Sequence, residues 1–210
     1  ITGKAYAMQE FVDGCVDRYC ELTGWPKEKI RGAPTPFIDE SKDPLGVRDE
    51  DTGAKDHLGH IAMKVLMKIM YLARFGRYEL LRAIQALATK VTKWDTLCDK
   101  KLYRIIQYLV HAREWRMIGF IGDPADELQL GLFTDADFAG DREDMSSTSG
   151  VFLALYGTHS FYPLAAQSKK QTAVSHSTVE ADLVACNHGI RSEGLPGLDL
   201  WETILQRPKA

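Results

Sequence analysis

Cysteine is scarce in this sequence. Cys15, Cys20, Cys98 and Cys186 are the four in 210 residues, too few and too scattered to frame a disulfide-built miniprotein. A basic start followed by an apolar core is missing as well. Glu10, Asp13, Asp17, Glu21 and Glu28 occupy the first thirty residues, which excludes a secretory signal or an acid-poor transit peptide there. The longest stretch free of charge, Met145–Ser168, is long enough to span a bilayer. Gly157, Pro163 and several hydroxyl residues split it into two short apolar runs, so it reads as a hairpin and not as a membrane helix. No G-x-x-x-x-G-K or G-x-G-x-x-G motif occurs, and nucleotide binding by those devices is unsupported. No methionine precedes Met8, so a processed product or a piece of a longer polyprotein is expected. What is present is ordinary globular material, 45% hydrophobic, 26% charged and 10% aromatic, with room for one or two domains at about 100–200 residues each. An intracellular setting is expected, with no compartment indicated.

The net charge of −3 hides an uneven map. Residues 1–50 carry 7 Lys+Arg against 10 Asp+Glu, residues 51–125 carry 13 against 7, and residues 126–210 carry 6 against 12. A basic middle joined to an acidic end points to nucleic acid at the basic part, against the competing reading of an ordinary solvated helix surface. Apolar spacing of three and four predicts helices over 5–23, over 59–92 with a split at Gly76, and over 99–112. Residues 24–56, rich in Gly and Pro, read as an extended connector. After about residue 116 the period changes. RMIGFIG, LQLGLFTDADF, SGVFLALYG and HSFYPLAAQSKKQ read as three or four strands bounded by turn signals. A helix then resumes near Ser177, with Ser177 or Thr178 as its cap. It is interrupted at Gly194-Leu195-Pro196, and a final short helix follows. The expected fold class is therefore α+β: a helix and connector over 1–58, a helical segment over 59–116, and a sheet with one helix region over 117–210.

The densest chemistry is Thr134-Asp135-Ala136-Asp137-Phe138-Ala139-Gly140-Asp141 at the end of an apolar strand. A carboxylate placed there can hold a hard divalent cation through oxygen. Glu180-Ala181-Asp182 lies in the first turns of the later helix. Residues two apart do not share a helix face, so one of Glu180 and Asp182 is expected to converge with Asp135. Ser175, His176 and Ser177 lie between, and hydroxyls and amides at a helix start suit phosphate contacts. Solvated turn acids and first-turn carboxylates favoured by the helix dipole are the competing reading. Lys90, Lys93, Lys100, Lys101 and Arg104 cluster around a helix–helix turn and suit salt-dependent phosphate contacts without base specificity. Cys15 and Cys20 with His57 and His60 fit zinc spacing poorly. Asp49-Glu50-Asp51 has no flanking apolar strand and reads as a solvated loop. Trp94, Trp115 and Trp201 follow apolar stripes and read as core.

TDADFAGDREDMSSTSGVFLALYG followed by QSKKQTAVSHSTVEADLVA resembles the start of the ribonuclease H domain in copia-type retrotransposon Pol polyproteins. That family has a T/S-D-A-D-W-A-G strand end, an S-S-T-S-G turn, an S-K-K-Q strand and an S-T-x-E-A-E-Y helix start in this order. Residues 59–112, including Arg77, Glu79 and the RIIQYL stretch, are similar to the helical end of the family's reverse transcriptase, a thumb- or connection-like segment. FVDGCVDRYCELTG and APTPF are similar to the helix and connector before it. The resemblance covers residues 6–205 and is weakest over 24–58.

The resemblance implies a partial ribonuclease H-like mixed sheet. It implies Asp135 as first metal carboxylate and Asp182 as second, with Glu180 two residues earlier and the choice between them open. Asp182 is one methylene shorter than the family's Glu. The implied cofactor is magnesium, two ions held by four carboxylates for phosphodiester hydrolysis, and the implied partner is an RNA–DNA hybrid gripped in part by the basic helical region. The last two acids are not found in the 28 residues after Asp182. The expectation is thus a Pol fragment that is catalytically incomplete. The alternative is a decayed or co-opted remnant acting as a structural or interaction subunit. A sheet lacking its later strands leaves an edge that a protein partner or a second copy would cover.

Overall fold

A computed structural model describes residues 1–38, 58–140 and 145–205 of the chain. Asp49-Glu50-Asp51, His57 and Asp141 lie outside the described residues. The chain folds as two compact units. Ala7–Arg116 forms a helical unit, and Ile1–Tyr6 joins Met117–Ala210 in a sheet-and-helix unit. The first helix thus shares a unit with the helical segment that the sequence drew separately from it.

The helical unit contains α1 (Gln9–Thr23), α2 (Gly59–Gly76), α3 (Leu81–Ala88) and α4 (Thr96–His111). Each has one apolar stripe, and the stripes meet in a core that fully buries Tyr19, Leu66, Ile69, Leu72, Leu80, Ile84, Leu87, Leu102, Ile105, Ile106 and Leu109. The split at Gly76 occurs, with a short 3₁₀ turn at Tyr78–Leu80 between α2 and α3. Asp95 caps α4 by accepting from the Cys98 N–H at 2.7 Å, one of the four donors a helix start leaves without partners. The buried Asp99 carboxylate accepts from Trp94 Nε1 at 2.5 Å and from the Leu58 N–H at 3.2 Å, tying the start of α2 to α4. Arg77, 2% exposed, donates from Nε to Glu79 at 2.5 Å and lies over the Tyr108 ring. That burial and pairing is a structural reason for both residues. Cys15 is buried and Cys20 partly so, and burial pushes the Cys15 thiol up to about 12.

The other unit is a five-stranded sheet in the order β1-β2-β5-β4-β3: β1 (Thr2–Tyr6), β2 (Met117–Ile121), β3 (Gln129–Asp137), β4 (Thr148–Gly157) and β5 (Ser160–Lys170). Four of these are the runs identified by composition and turn signals. β1 was not expected. Its TGKAY sequence has one aromatic and no apolar alternation, and it is held as an edge strand by pairing with β2. Every described ladder is antiparallel, which corrects the mixed sheet expected. The helices between β1 and β2 return the chain antiparallel to β1, and among the described residues no strand follows Lys170. The expected 145–168 hairpin is β4–β5, turning at Thr158-His159. Gly157 is required there, because a Cβ would sit 2.4 Å from Asp123 Oδ2, the oxygen that accepts from the His159 N–H.

After β5 come α5 (Thr178–Gly189), a π-turn (Ile190–Gly194) and α6 (Leu195–Leu205). The expected interruption at Gly194-Leu195-Pro196 does not occur. The Leu195 N–H reaches back to the Ile190 carbonyl, and the wider turn admits Pro196, which lacks an N–H, without ending the helix. α5 and α6 cover one face of the sheet. A Cβ on Gly189 would lie 2.6 Å from Thr134 Cγ2, so only glycine allows α5 this close to β3. Trp201 of α6 is buried with Leu128 and Leu155, packed by Tyr162 and Leu130. Among the described residues no helix is long and apolar enough to cross a membrane.

Candidate functional site

Asp135 lies on β3 opposite Gly150 of β4. Side chains alternate between sheet faces. Thr134 and Val151 meet Gly189 of α5 on the helix-covered face, so Asp135 belongs to the other face, with Phe133 and Asp137. Asp135 is exposed, and a Cβ on Gly150 would meet only the Asp135 carbonyl oxygen, at 3.8 Å. The space beside Asp135 is therefore open.

The start of α5 sorts the remaining candidates. Ser177 is its cap, its Oγ accepting from the Glu180 N–H at 3.1 Å. The Glu180 carboxylate turns back and accepts from the His176 N–H at 2.7 Å. This is a capping-box exchange displaced by one residue, and it satisfies donors that the helix start would otherwise leave bare. Glu180 is thus engaged at the helix start and exposed. Asp182 is half-buried beside Ala181, on the stripe that continues through Ala185 and Gly189. Its Oδ1 is buried and meets no hydrogen-bond donor among the described residues, an unusual state for a carboxylate oxygen. Ser175 is buried and donates to Gln171 Oε1 at 3.2 Å. Gln171 in turn donates to Ser149 Oγ and to the Ala181 carbonyl at 3.0 and 2.9 Å, which pins the end of β5 to the first turn of α5.

The structure therefore gathers Ser175, His176, Ser177, Glu180 and Asp182 at one helix start, with Asp135 on the opposite sheet face. Among the described residues no three His, Cys, Asp or Glu side chains stand close enough to hold a metal ion. The donors described do not form a magnesium site by themselves.

The basic residues of the helical unit lie around the α3–α4 turn. Lys93 is exposed. Lys90, Lys100 and Lys101 each interact with another group of the chain. Arg104 donates to the Thr35 carbonyl and to Thr35 Oγ1, both at 2.8 Å, so its guanidinium fastens the connector to α4. Sequence reasoning did not single out Lys169, Lys170, His188 and Arg191, which line a common cleft. The Lys169-Lys170 doublet at a strand end was the available signal. Its meaning depended on a helix position eighteen residues onward.

The chain is similar to "Retrovirus-related Pol polyprotein from transposon RE1" of Arabidopsis thaliana, 37% identical over 81 residues, which is 39% of this chain and 5% of that protein. It is also similar to "Retrovirus-related Pol polyprotein from transposon RE2" of Arabidopsis thaliana, 31% identical over 118 residues, which is 56% of this chain and 8% of that protein. The similarity to retrotransposon Pol polyproteins read from the motifs is met by both. The chain matches a small part of their length. No protein-family model matches the chain, and no solved structure does.

Proposed function

We propose that this chain is a segment of a copia-type retroelement Pol that binds an RNA–DNA hybrid and does not complete the hydrolytic site on its own. In this reading the sheet-and-helix unit corresponds to the front of a ribonuclease H-like domain and the helical unit to the end of a reverse transcriptase. The observation that carries it is the order of parts after residue 128. An acid-bearing strand, two antiparallel strands and a Ser-capped helix with a half-buried acid follow one another, in the order of the family motifs. Asp135 and Asp182 are the carboxylates assigned to magnesium, and Glu180 is assigned to the helix cap. Bound magnesium would activate water and stabilise the leaving oxygen. Incompleteness is argued from the sheet itself, because strand alternation sets Asp135 on the face that α5 does not cover.

Hybrid binding rests on the positive excess of residues 51–125, with Lys93 and its neighbours contacting phosphates. Anisotropy of a labelled RNA–DNA hybrid across a salt series tests it. Affinity should fall steeply and linearly on logarithmic axes, and Lys93→Gln should flatten the slope by about 1. A flat response would remove the phosphate contacts.

A second reading, a co-opted remnant serving as an interaction subunit, is favoured by one observation. The sheet face away from α5 carries Phe120, Phe133, Tyr156 and Phe161 exposed, with Phe152 between them. β3 is also an edge strand among the described residues, open to pairing with another chain.

A further inference from the structure

On the helix-covered side of the sheet, the end of β5 and the later turns of α5 enclose a cleft of about 370 Å³, within the size range of small-ligand sites. Lys169, Lys170 and Arg191 supply its cationic groups, and His188, Ser192 and Asn187 supply an imidazole, a hydroxyl and an amide. Among the described residues no Asp or Glu lines it. Lys169 is paired in register with Ser149, whose hydroxyl accepts from Gln171. Gln171 is bonded to the Ala181 carbonyl, so this wall of the cleft is fixed to α5. His188 is oriented by Gln167, whose Oε1 lies 3.2 Å from Nε2, and Gln167 is held by Glu193. Lys169 and Arg191 form no ion pair among the described residues, and Ser192 Oγ is buried without a hydrogen-bond partner among them. Cations gathered on a polar wall, with a buried hydroxyl left over, suit an anion. Phosphate supplies both the charge and several acceptor oxygens.

We propose that this cleft binds a phosphate ester, with Lys169 and Arg191 at its anionic oxygens and Ser192 donating to it. The site uses none of Asp135, Glu180 or Asp182, so it stands independently of the hydrolytic reading and of the basic helical region. Burial and the neighbouring Lys169 ammonium hold His188 below its ordinary value, which agrees with a cleft already rich in positive charge.

The same phosphate chemistry comes from a nucleic-acid strand or from a free nucleotide, and two probes separate them. Binding of a labelled 12-nucleotide RNA and of adenosine 5′-monophosphate is measured on the whole chain, for wild type and for Lys169→Gln with Arg191→Gln. Both side chains are exposed, so the melting curve should be unchanged and serves as the folding control. The double variant is expected to lose about tenfold in affinity for the bound probe. With RNA, its salt slope should shrink by about 1.5, two contacts at roughly 0.7 each. Loss on RNA alone identifies a strand phosphate, and loss on the mononucleotide identifies a free one. Unchanged affinity and slope in the variant, or no binding of either probe to the wild type at low salt, overturns the proposal. Failure of hybrid cleavage would leave it untouched.

Discussion

Asp182 keeps a buried carboxylate oxygen without a hydrogen-bond donor among the described residues, beside the buried Ala181 of α5. A group retained against stability in this way is expected where function requires it. Replacing it should then stabilise the fold. Asp182→Leu is expected to raise unfolding free energy by about 1 kcal/mol, read from urea denaturation, and a loss of stability would make the carboxylate structural. Cys15 gives a second residue-scale test. The thiolate is the reactive form, and burial raises this thiol to about 12. At pH 8 Cys15 should resist iodoacetamide while the chain is folded and react on unfolding, with partly exposed Cys186 labelled first. Peptide mass mapping reads both, and early labelling of Cys15 would contradict the packing of α1. The candidate residue types were named from motif order. Their division of labour was legible in part. The cap at Ser177 was one of two hydroxyls the sequence offered, whereas the return of the Glu180 carboxylate to the His176 N–H is a matter of backbone geometry.

The junction between helix and sheet depends on one close approach. Gly189→Ala would bring a methyl against Thr134 Cγ2 and is expected to cost about 1–3 kcal/mol. Adding Thr134→Ser removes that methyl and should recover most of the loss; no recovery would mean that α5 does not seat on β3 through this pair. Helices α1–α4 and strands β2–β5 were legible from period and turn residues, since apolar spacing reports directly on the buried face. Three features were not. β1 is a short polar edge strand defined by its partner. The π-turn lets Pro196 pass within a helix, which no local propensity favours. The opposition of Asp135 to α5 follows from register, and register is a tertiary property.

At the scale of the molecule, each unit has its own core, and among the described residues the helices of the sheet unit lie on one face. Phe120, Phe133, Tyr156 and Phe161 remain exposed on the other. The interaction-subunit reading would seat its partner on this aromatic patch. Sedimentation velocity over a concentration series is expected to show association, and Phe133→Lys with Phe161→Lys should abolish it; a monomer at every concentration would count against the interaction-subunit reading. The motif order made the relation to Pol polyproteins legible, because it survives at the level of sequence. That few carboxylates converge among the described residues was not legible without the fold.

The most direct measurement is magnesium-dependent cleavage of a labelled RNA–DNA hybrid by this chain, run beside Asp135→Asn and beside a binding assay on the same hybrid. The expected result is salt-sensitive binding by both proteins with no cleavage above background in either. Magnesium-dependent cleavage by the wild type that Asp135→Asn abolishes would contradict it, and would mean that these residues complete a hydrolytic site after all.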